Sequence, residues 1–391
     1  MSNIPILHLT DTEEQAQLRA SVQKLGEKYG LEYMIEKADS HTYPTELWQE
    51  AGELGFIGVN LPEEYGGGGA GLSELIIVQE ELAAAGSPLL MLVVSPAIVG
   101  TIISSFGTPE QKQKFLPGIA SGTLISAFGI TEADAGTNSH NIASTAKKVG
   151  DSWVINGTKT YISGVDQADY VLYIASIVDD DGNRGLPGMF MVPTDSEGFT
   201  AKKIPMEVRM AEWQFQLFLD DVEIPADHLI GSVETGIWGL FTGLNPERIM
   251  AAATATGQGR FSLQRAVDYA NERNVWGVPI GAHQGLAHPL AQCYIELEMA
   301  RVMNQKAAAL FDQGHSKEAA DAANMAKYAA GEACAKTLDQ AVQTLGGNGL
   351  STEYGLARMY AASRLLRIAP VSREMLLNYV GTNIMGLPKS Y

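Results

Sequence analysis

Apolar residues recur at helical spacing in "DTEEQAQLRASVQKLGEKYGLEYMIEKAD" and again in "TELWQEAGELGF". Acids lead these runs and glycines close turns, which predicts helices through residues 1–125. The stretch "LPEEYGGGGAG" at 61–71 interrupts them. Consecutive glycines suggest phosphate binding, but no Lys-Ser/Thr follows and no strand precedes, so a loop is expected. The longest apolar run, "SPLLMLVVSPAIVGTIISSF" at 87–106, carries two prolines, a glycine and several serines. It reads as a buried helix rather than a membrane span.

Between 126 and 240 the period changes. "DSWVINGTKTYISG" reads as two strands around a turn at Asn156-Gly157. "DYVLYIASIV", "LPGMFMVP" and "WQFQLFLDDVEIP" are further strand-like runs separated by Gly, Pro and Asp. Strands so closely spaced, without helices between them, predict an antiparallel sandwich or barrel and not a Rossmann sheet. From 241 the helical period returns in three long amphipathic segments. A fourth from about Ser372 completes an expected antiparallel four-helix bundle. The expected fold is therefore α+β and multidomain: an N-terminal helical domain over 1–125, a middle β domain over 126–240 and a C-terminal helical bundle over 241–391.

Composition narrows the function. The 391 residues are 46% hydrophobic, enough for a large core, and carry a formal net charge of −18. That charge argues against a nucleic-acid partner, which needs a basic face. Two distant cysteines, Cys293 and Cys334, make neither a disulfide framework nor a zinc site and suit a reducing cytosol. The N-terminus "MSNIPILHLTDTEEQAQL" has no basic n-region and no continuous apolar run. A cytoplasmic protein without membrane insertion is expected.

One short stretch poses a chemical question. In "GLNPERIMAAATATG", Asn245 suits an N-cap, Pro246 the first helical position and Glu247 the first turn. Capping is the local reading of Glu247; a base that does chemistry is the other. Elsewhere, His283 and His288 lie five apart and face different sides of a helix, so a metal pair is not expected. "GQGRFS" at 257–262 lies inside a helical run, which removes the strand a dinucleotide motif requires.

Four motifs occur in order: "AFGITEADAGTNSHNIASTA", "VINGTKTYISG", "ANERNVWGVPIGAHQ" and "AVQTLGGNGLSTEYG". Together they resemble the acyl-CoA dehydrogenase family of flavoproteins. The likeness runs over essentially the whole chain, including "LPEEYGG" and the Pro-Ala-Asp turn at 225–227. The resemblance implies FAD, a homotetramer, an electron-transfer flavoprotein as partner and α,β-dehydrogenation of an acyl-CoA thioester to the trans-2-enoyl-CoA. A carboxylate would take the α-proton while the β-hydrogen leaves as hydride to flavin N5. Two rivals remain: an acyl-CoA oxidase or flavin monooxygenase on the same fold, and a catalytically silent FAD-binding assembly protein.

By the same resemblance, Phe128, Ile130, Thr131, Gly136 and Thr137 contact the flavin and pyrophosphate, with Thr137 also on the substrate side. Tyr161, Ile162 and Ser163 lie along the isoalloxazine, with Tyr161 where many relatives have Trp and Phe128 where many have Tyr. Arg273, Trp276, His283 and Gln284 match residues that reach the FAD of a neighbouring subunit. Gln343, Gly346 and Gly347 match its pyrophosphate and adenosine contacts. An arginine fork suits a pyrophosphate, and glycine lets backbone N–H groups approach it.

The commonest relatives carry their base near the C-terminus. The corresponding stretch here is "LRIAPVSREM", where Ala369 and Pro370 stand in place of Tyr and Glu. Ser372 and Glu374 still fit FAD contacts. Isovaleryl- and long-chain-type relatives instead carry the base before an Arg on the first long C-terminal helix, which Glu247-Arg248 matches. Arg248 then orients the base and Asn245 meets the CoA. The helix dipole would lower the Glu247 pKa and a dry pocket would raise it, and the sequence leaves the outcome open. Glu212-Trp213, in "MEVRMAEWQF", has no account at this level.

Overall fold

The computed structural model describes residues 11–233 and 236–389, so most of the N-terminal stretch weighed above for targeting signals lies outside them. Helix α1 (Glu13–Ser40) starts at a capping box in which Thr12 and Gln15 satisfy each other's backbone N–H. After α2 (Thr45–Glu53) comes the glycine loop. Its N–H groups are spent within the loop: Gly67 donates to Pro62, Gly68 to Gly58 and Gly69 to Leu61, at 2.8–3.1 Å. They are not free for phosphate, in keeping with the loop expected there.

Helix α3 (Leu72–Ala84) is followed by one continuous apolar helix. It begins as α4 (Leu90–Leu92), widens to a π-helical stretch at Val93–Gly100 and ends as α5 (Thr101–Phe106). Pro96 lies in the wide stretch, where a residue without an N–H breaks the regular α ladder. Helix α6 (Pro109–Ser121) closes this layer. Among the described residues no helix is long and apolar enough to cross a membrane.

The middle segment is an eight-stranded sheet: β1 (Ser126–Gly129), β2 (Thr145–Val149), β3 (Ser152–Ser163), β4 (Tyr170–Val178), β5 (Arg184–Pro193), β6 (Phe199–Ile204), β7 (Gln214–Pro225) and β8 (Leu229–Ile230). The order is β6-β7-β3-β2-β4-β5-β8, with β1 also on β4. Two expectations are corrected here. The sheet is mixed, because β1 and β2 both run parallel to β4, at 170–173 and 176–178 respectively. Asn156-Gly157 is not a hairpin turn: β3 runs straight through it with a bulge against β7. Gly157 supplies the positive φ (150°) the dipeptide signals, but a Cβ there would collide with Ser144, so the permissive residue serves close approach instead.

The C-terminal segment holds α7 (Gly236–Glu272), a small hairpin of β9 (Asn274–Val275) and β10 (Val278–Pro279), α8 (Gln284–Asp312) and α9 (Ser316–Leu345). The shorter α10 (Leu356–Leu365) and α11 (Arg373–Tyr379) follow, α11 running on as a π-helical turn to Ile384. The fourth bundle helix expected from Ser372 is thus short, and it packs on α9. The expected helix start at Asn245 is also corrected. Helix α7 already runs from Gly236, with Pro246 in its interior, so Asn245 caps nothing and Glu247 is not in a first turn. The boundary drawn after 240 falls inside this helix; glycines and a proline that read as punctuation are absorbed by it.

A buried ion network fastens the layers. Arg19 of α1, Arg260 of α7 and Arg301 of α8 surround Glu80 and Glu81 of α3, with Arg260–Glu81 at 2.8 Å and Arg301–Glu80 at 3.0 Å. Burial alone would raise the Glu81 carboxyl, but Arg260 and Arg19 hold it well below the ordinary range.

Candidate active site

Gly243, Glu247, Met250, Thr254 and Gly257 are spaced four and three apart, which sets them on one face of α7. A Cβ on Gly243 would strike Ile102, and one on Gly257 would strike the Glu80 carbonyl. This face therefore packs on the π-helix and α5 at one end and on α3 at the other, with Glu247 between. Glu247 is partly buried. Burial pushes its carboxyl up to about 7, against the opposing charges of Arg248 and Lys327. More than two turns inside α7, it is beyond the reach of the helix N-terminus, so its burial, though incomplete, decides its pKa.

Arg248 donates through Nη1 to the Leu244 carbonyl and to Asn245 Oδ1, each at 3.1 Å, and its Nε finds no partner among the described residues. Burial lowers its pKa, partly offset by Glu247. Lys327, buried on α9, donates from Nζ to the Val371 carbonyl at 2.7 Å. Burial lowers it to about 8, while Glu247 acts the other way. Lys327 thus links the Glu247 helix to the segment holding Ala369 and Pro370. The motifs did not single it out, because a lysine in "NMAKYAAG" looks like any solvated helix residue.

The second cluster lies on the sheet. Because β1 and β2 share one edge of β4, residues 130–144 loop out between them, carrying Ile130, Thr131, Gly136 and Thr137; Phe128 is the last but one residue of β1. A buried pair holds this ledge: Lys159 Nζ donates to Glu132 Oε1 at 2.8 Å and to the Ile130 carbonyl at 3.0 Å. Glu132 also accepts from the backbone N–H of Ala143 and Ser144. The Thr160 N–H bonds the Thr131 carbonyl at 2.9 Å, so the two sheet motifs form one surface. Tyr161 is exposed and has φ 57° beside a bulge, a strained backbone of the kind found at functional sites. Ser163 Oγ and the Gln214 amide bond each other at 2.8 and 3.1 Å. Ile162 departs from expectation: its side chain points into the sheet core, leaving only its backbone for a ligand.

The third cluster is surface. Arg273, Trp276, His283 and Gln284 are exposed around the β9–β10 hairpin, Trp276 to 89% with φ 52°. Its ring meets that of His283 edge-on at 6.0 Å. Gln343, Gly346 and Gly347 are exposed nearby at the end of α9, where Asn348 bonds Tyr269, one turn before Arg273. Gly346 has φ 59° and ψ −130°, and a Cβ on it or on Gly347 meets nothing within 4 Å. Among the described residues no hydrogen bond or ring contact joins this surface to the sheet ledge. Ser372 caps α11 through the Met375 N–H, and Glu374, two residues on in the first turn, is exposed.

Comparison with known proteins decides the family. The descriptions "Acyl-CoA dehydrogenase, N-terminal domain", "middle domain" and "C-terminal domain" match residues 12–123, 127–222 and 235–385. The acyl-CoA dehydrogenase FadE12 of Mycobacterium tuberculosis is 58% identical over 381 residues, 97% of this chain and 98% of that one. The chain belongs to the acyl-CoA dehydrogenase family. It is an oxidoreductase of a family whose members are FAD flavoproteins. Among solved structures, a glutaryl-coenzyme A dehydrogenase in complex with glutaryl-CoA superposes with a TM-score of 0.92 at 33% identity, covering 97% of each chain. A glutaryl-CoA dehydrogenase of Mycobacterium smegmatis in complex with FADH2 does so with a TM-score of 0.88 at 26% identity, covering 97% of this chain and 96% of that one. The helix–sheet–helix order of this chain is the family's own.

Proposed function

We propose that this chain dehydrogenates an acyl-CoA thioester to the trans-2-enoyl-CoA, with Glu247 as the base that removes the α-proton. One observation carries the reading. Glu247 has no capping role inside α7, yet a carboxylate is kept in dry surroundings that raise it to about 7. A base poised near the working pH is what α-proton removal needs. Pro370, at the position where commoner relatives carry their base, accepts no proton.

The other residues support this assignment. Arg248, anchored on Leu244 and Asn245, holds a positive charge beside the base and keeps it ionised once the proton has gone to solvent. Asn245 spends its oxygen on Arg248, which leaves its NH2 for the CoA; Thr137, exposed on the ledge, is the other substrate contact. The ledge, the strained and exposed Tyr161 and the open Gly346-Gly347 turn fit FAD. Phe128, Ile130, Thr131, Gly136, Thr137, Tyr161, the Ile162 backbone and Ser163 would hold its flavin side. Arg273, Trp276, His283, Gln284, Gln343, Gly346, Gly347, Ser372 and Glu374 would hold the rest, in part across subunits of a homotetramer. FAD, when bound, supplies the acceptor for the β-hydrogen, and a cytoplasmic electron-transfer flavoprotein would reoxidise it.

The test is anaerobic mixing of the yellow holoenzyme with a panel of acyl-CoA thioesters. Bleaching by at least one thioester, and reoxidation faster with electron-transfer flavoprotein than with air, is the expected result. Fast reoxidation by air would make it an oxidase, and no bleaching by any thioester would overturn the reading.

A further inference from the structure

The face of α7 that carries Glu247 continues to Thr254, seven residues on and nearly in line, about 10 Å along the axis. There the lining turns polar. Thr254 Oγ1 accepts from Gln79 Nε2 of α3 at 2.8 Å and donates to the Met250 carbonyl at 3.0 Å. Because the hydroxyl has one proton and spends it on Met250, Gln79 must turn its NH2 toward Thr254. That fixes Oε1 on the other side. Gln79 is 0% exposed and Oε1 has no partner among the described residues. Its neighbours along α3, Leu75, Ile76 and Val78, and Met250 and Ala253 beside Thr254 on α7 belong to one buried apolar cluster. An amide oxygen left without a donor in such surroundings is a standing cost to the fold.

We infer that an acyl chain whose α-carbon sits at Glu247 runs along this face of α7 toward Thr254, and that Gln79 is the specificity-determining residue at its end, accepting a hydrogen bond from a hydroxyl near the tail of the chain. The inference rests on Glu247 being the base, since that fixes where the α-carbon lies. The favoured substrate class is then an acyl-CoA that is hydroxylated toward its distal end. A terminal carboxylate is disfavoured, because its oxygens would face the Gln79 oxygen with no proton between them. Thr254 is the positioning residue that keeps the amide turned this way.

The test uses the FAD-loaded enzyme and straight acyl-CoAs of increasing length, each ending in methyl, hydroxyl or carboxylate. At the length that reaches Gln79, the hydroxyl-ended thioester should exceed the methyl-ended one in kcat/KM by about 3–10-fold, chiefly through KM. The carboxylate-ended one should fall below both. Gln79→Leu should reverse the hydroxyl preference. Thr254→Val, which frees the amide without removing it, should weaken the preference, and it serves as the second variant if Gln79→Leu does not fold. Equal kcat/KM for hydroxyl- and methyl-ended chains at every length overturns the inference, as does a preference untouched in both variants. In either case bleaching by methyl-ended chains leaves the dehydrogenase reading standing.

Discussion

At the scale of residues, a carboxylate that titrates near neutrality carries a specific signature. Only ionised Glu247 accepts a proton, so flavin reduction by acyl-CoA should rise with pH through about 7. Lys327 lowers that value by its charge. Lys327→Met should therefore move the rising limb to higher pH, measured by stopped flow; an unmoved limb would disconnect Lys327 from the base. Glu247→Gln keeps the shape but accepts no proton, and a positioned general base contributes ~10²–10⁴-fold. Flavin reduction should slow at least ~100-fold, with FAD content unchanged. Stability gives an independent check. A carboxyl raised in the folded state binds more protons there than in the unfolded chain between its ordinary value and about 7. Its contribution to stability thus falls as pH rises through that window. Glu247→Gln should lose this pH dependence, so its Tm relative to the parent improves from acid to pH 8. A mutant with near-parental flavin reduction would refute the base assignment. Glu247 could be singled out as the proposed base because its neighbour Arg248 and the substitution at Pro370 both lie in the sequence. Lys327 and Gln79 were not, since each acquires meaning only from a partner on another helix.

At the scale of elements, the ledge depends on a charge pair inside the sheet. Lys159 is 0% exposed, and burial lowers it to about 8 although Glu132 opposes the shift. Removing one member of a buried pair leaves the other uncompensated, at about 3–5 kcal/mol. Lys159→Met should destabilise the protein by roughly that amount in urea unfolding. It should also release FAD, because the Ile130 carbonyl and the loop after β1 lose their anchor. The double variant Lys159→Met/Glu132→Gln should recover part of the stability, as replaced pairs do; a double variant no better than the single would show that the charge is not the issue. The sequence pattern located the strands but not their pairing. Alternation reports which side of a strand is buried, and β1 and β2 reach β4 through a loop that alternation does not describe. The same limit explains Asn156-Gly157, where the dipeptide announced a positive φ and tertiary contact with Ser144 chose a bulge over a turn. Helix α7 was read as starting ten residues late because glycine and Pro246 weigh against helix locally, while packing on Ile98 and Ile102 outweighs them.

At the scale of the whole molecule, much of what the motifs mark is on the outside of a single chain. Trp276 is 89% exposed, and Ile295, Met299 and Val302 form an apolar stripe on the solvent face of α8 at spacings of four and three. A subunit contact of the proposed tetramer is expected to cover such a stripe. If FAD bridges subunits, cofactor retention and assembly are one equilibrium. Arg273 is the sharpest probe, because its guanidinium offers a pyrophosphate a planar fork from an exposed hairpin far along the chain from the ledge. Losing hydrogen bonds to a charged group is worth about 1.5–3 kcal/mol, roughly ten- to a hundredfold in affinity. Arg273→Ala should therefore shed FAD on dialysis and dissociate at concentrations where the parent forms the proposed tetramer, while Arg273→Lys, with charge but no fork, should fall between. Met299→Glu approaches the same equilibrium from the other side. A charge in the apolar stripe should split the tetramer first, with FAD lost as a consequence, and added FAD should restore assembly in Arg273→Ala but not in Met299→Glu. Analytical ultracentrifugation with flavin absorbance follows both quantities in one run. An Arg273→Ala protein that stays tetrameric and keeps one FAD per chain through extensive dialysis would place the cofactor within a single subunit and leave the exposed hairpin without this role.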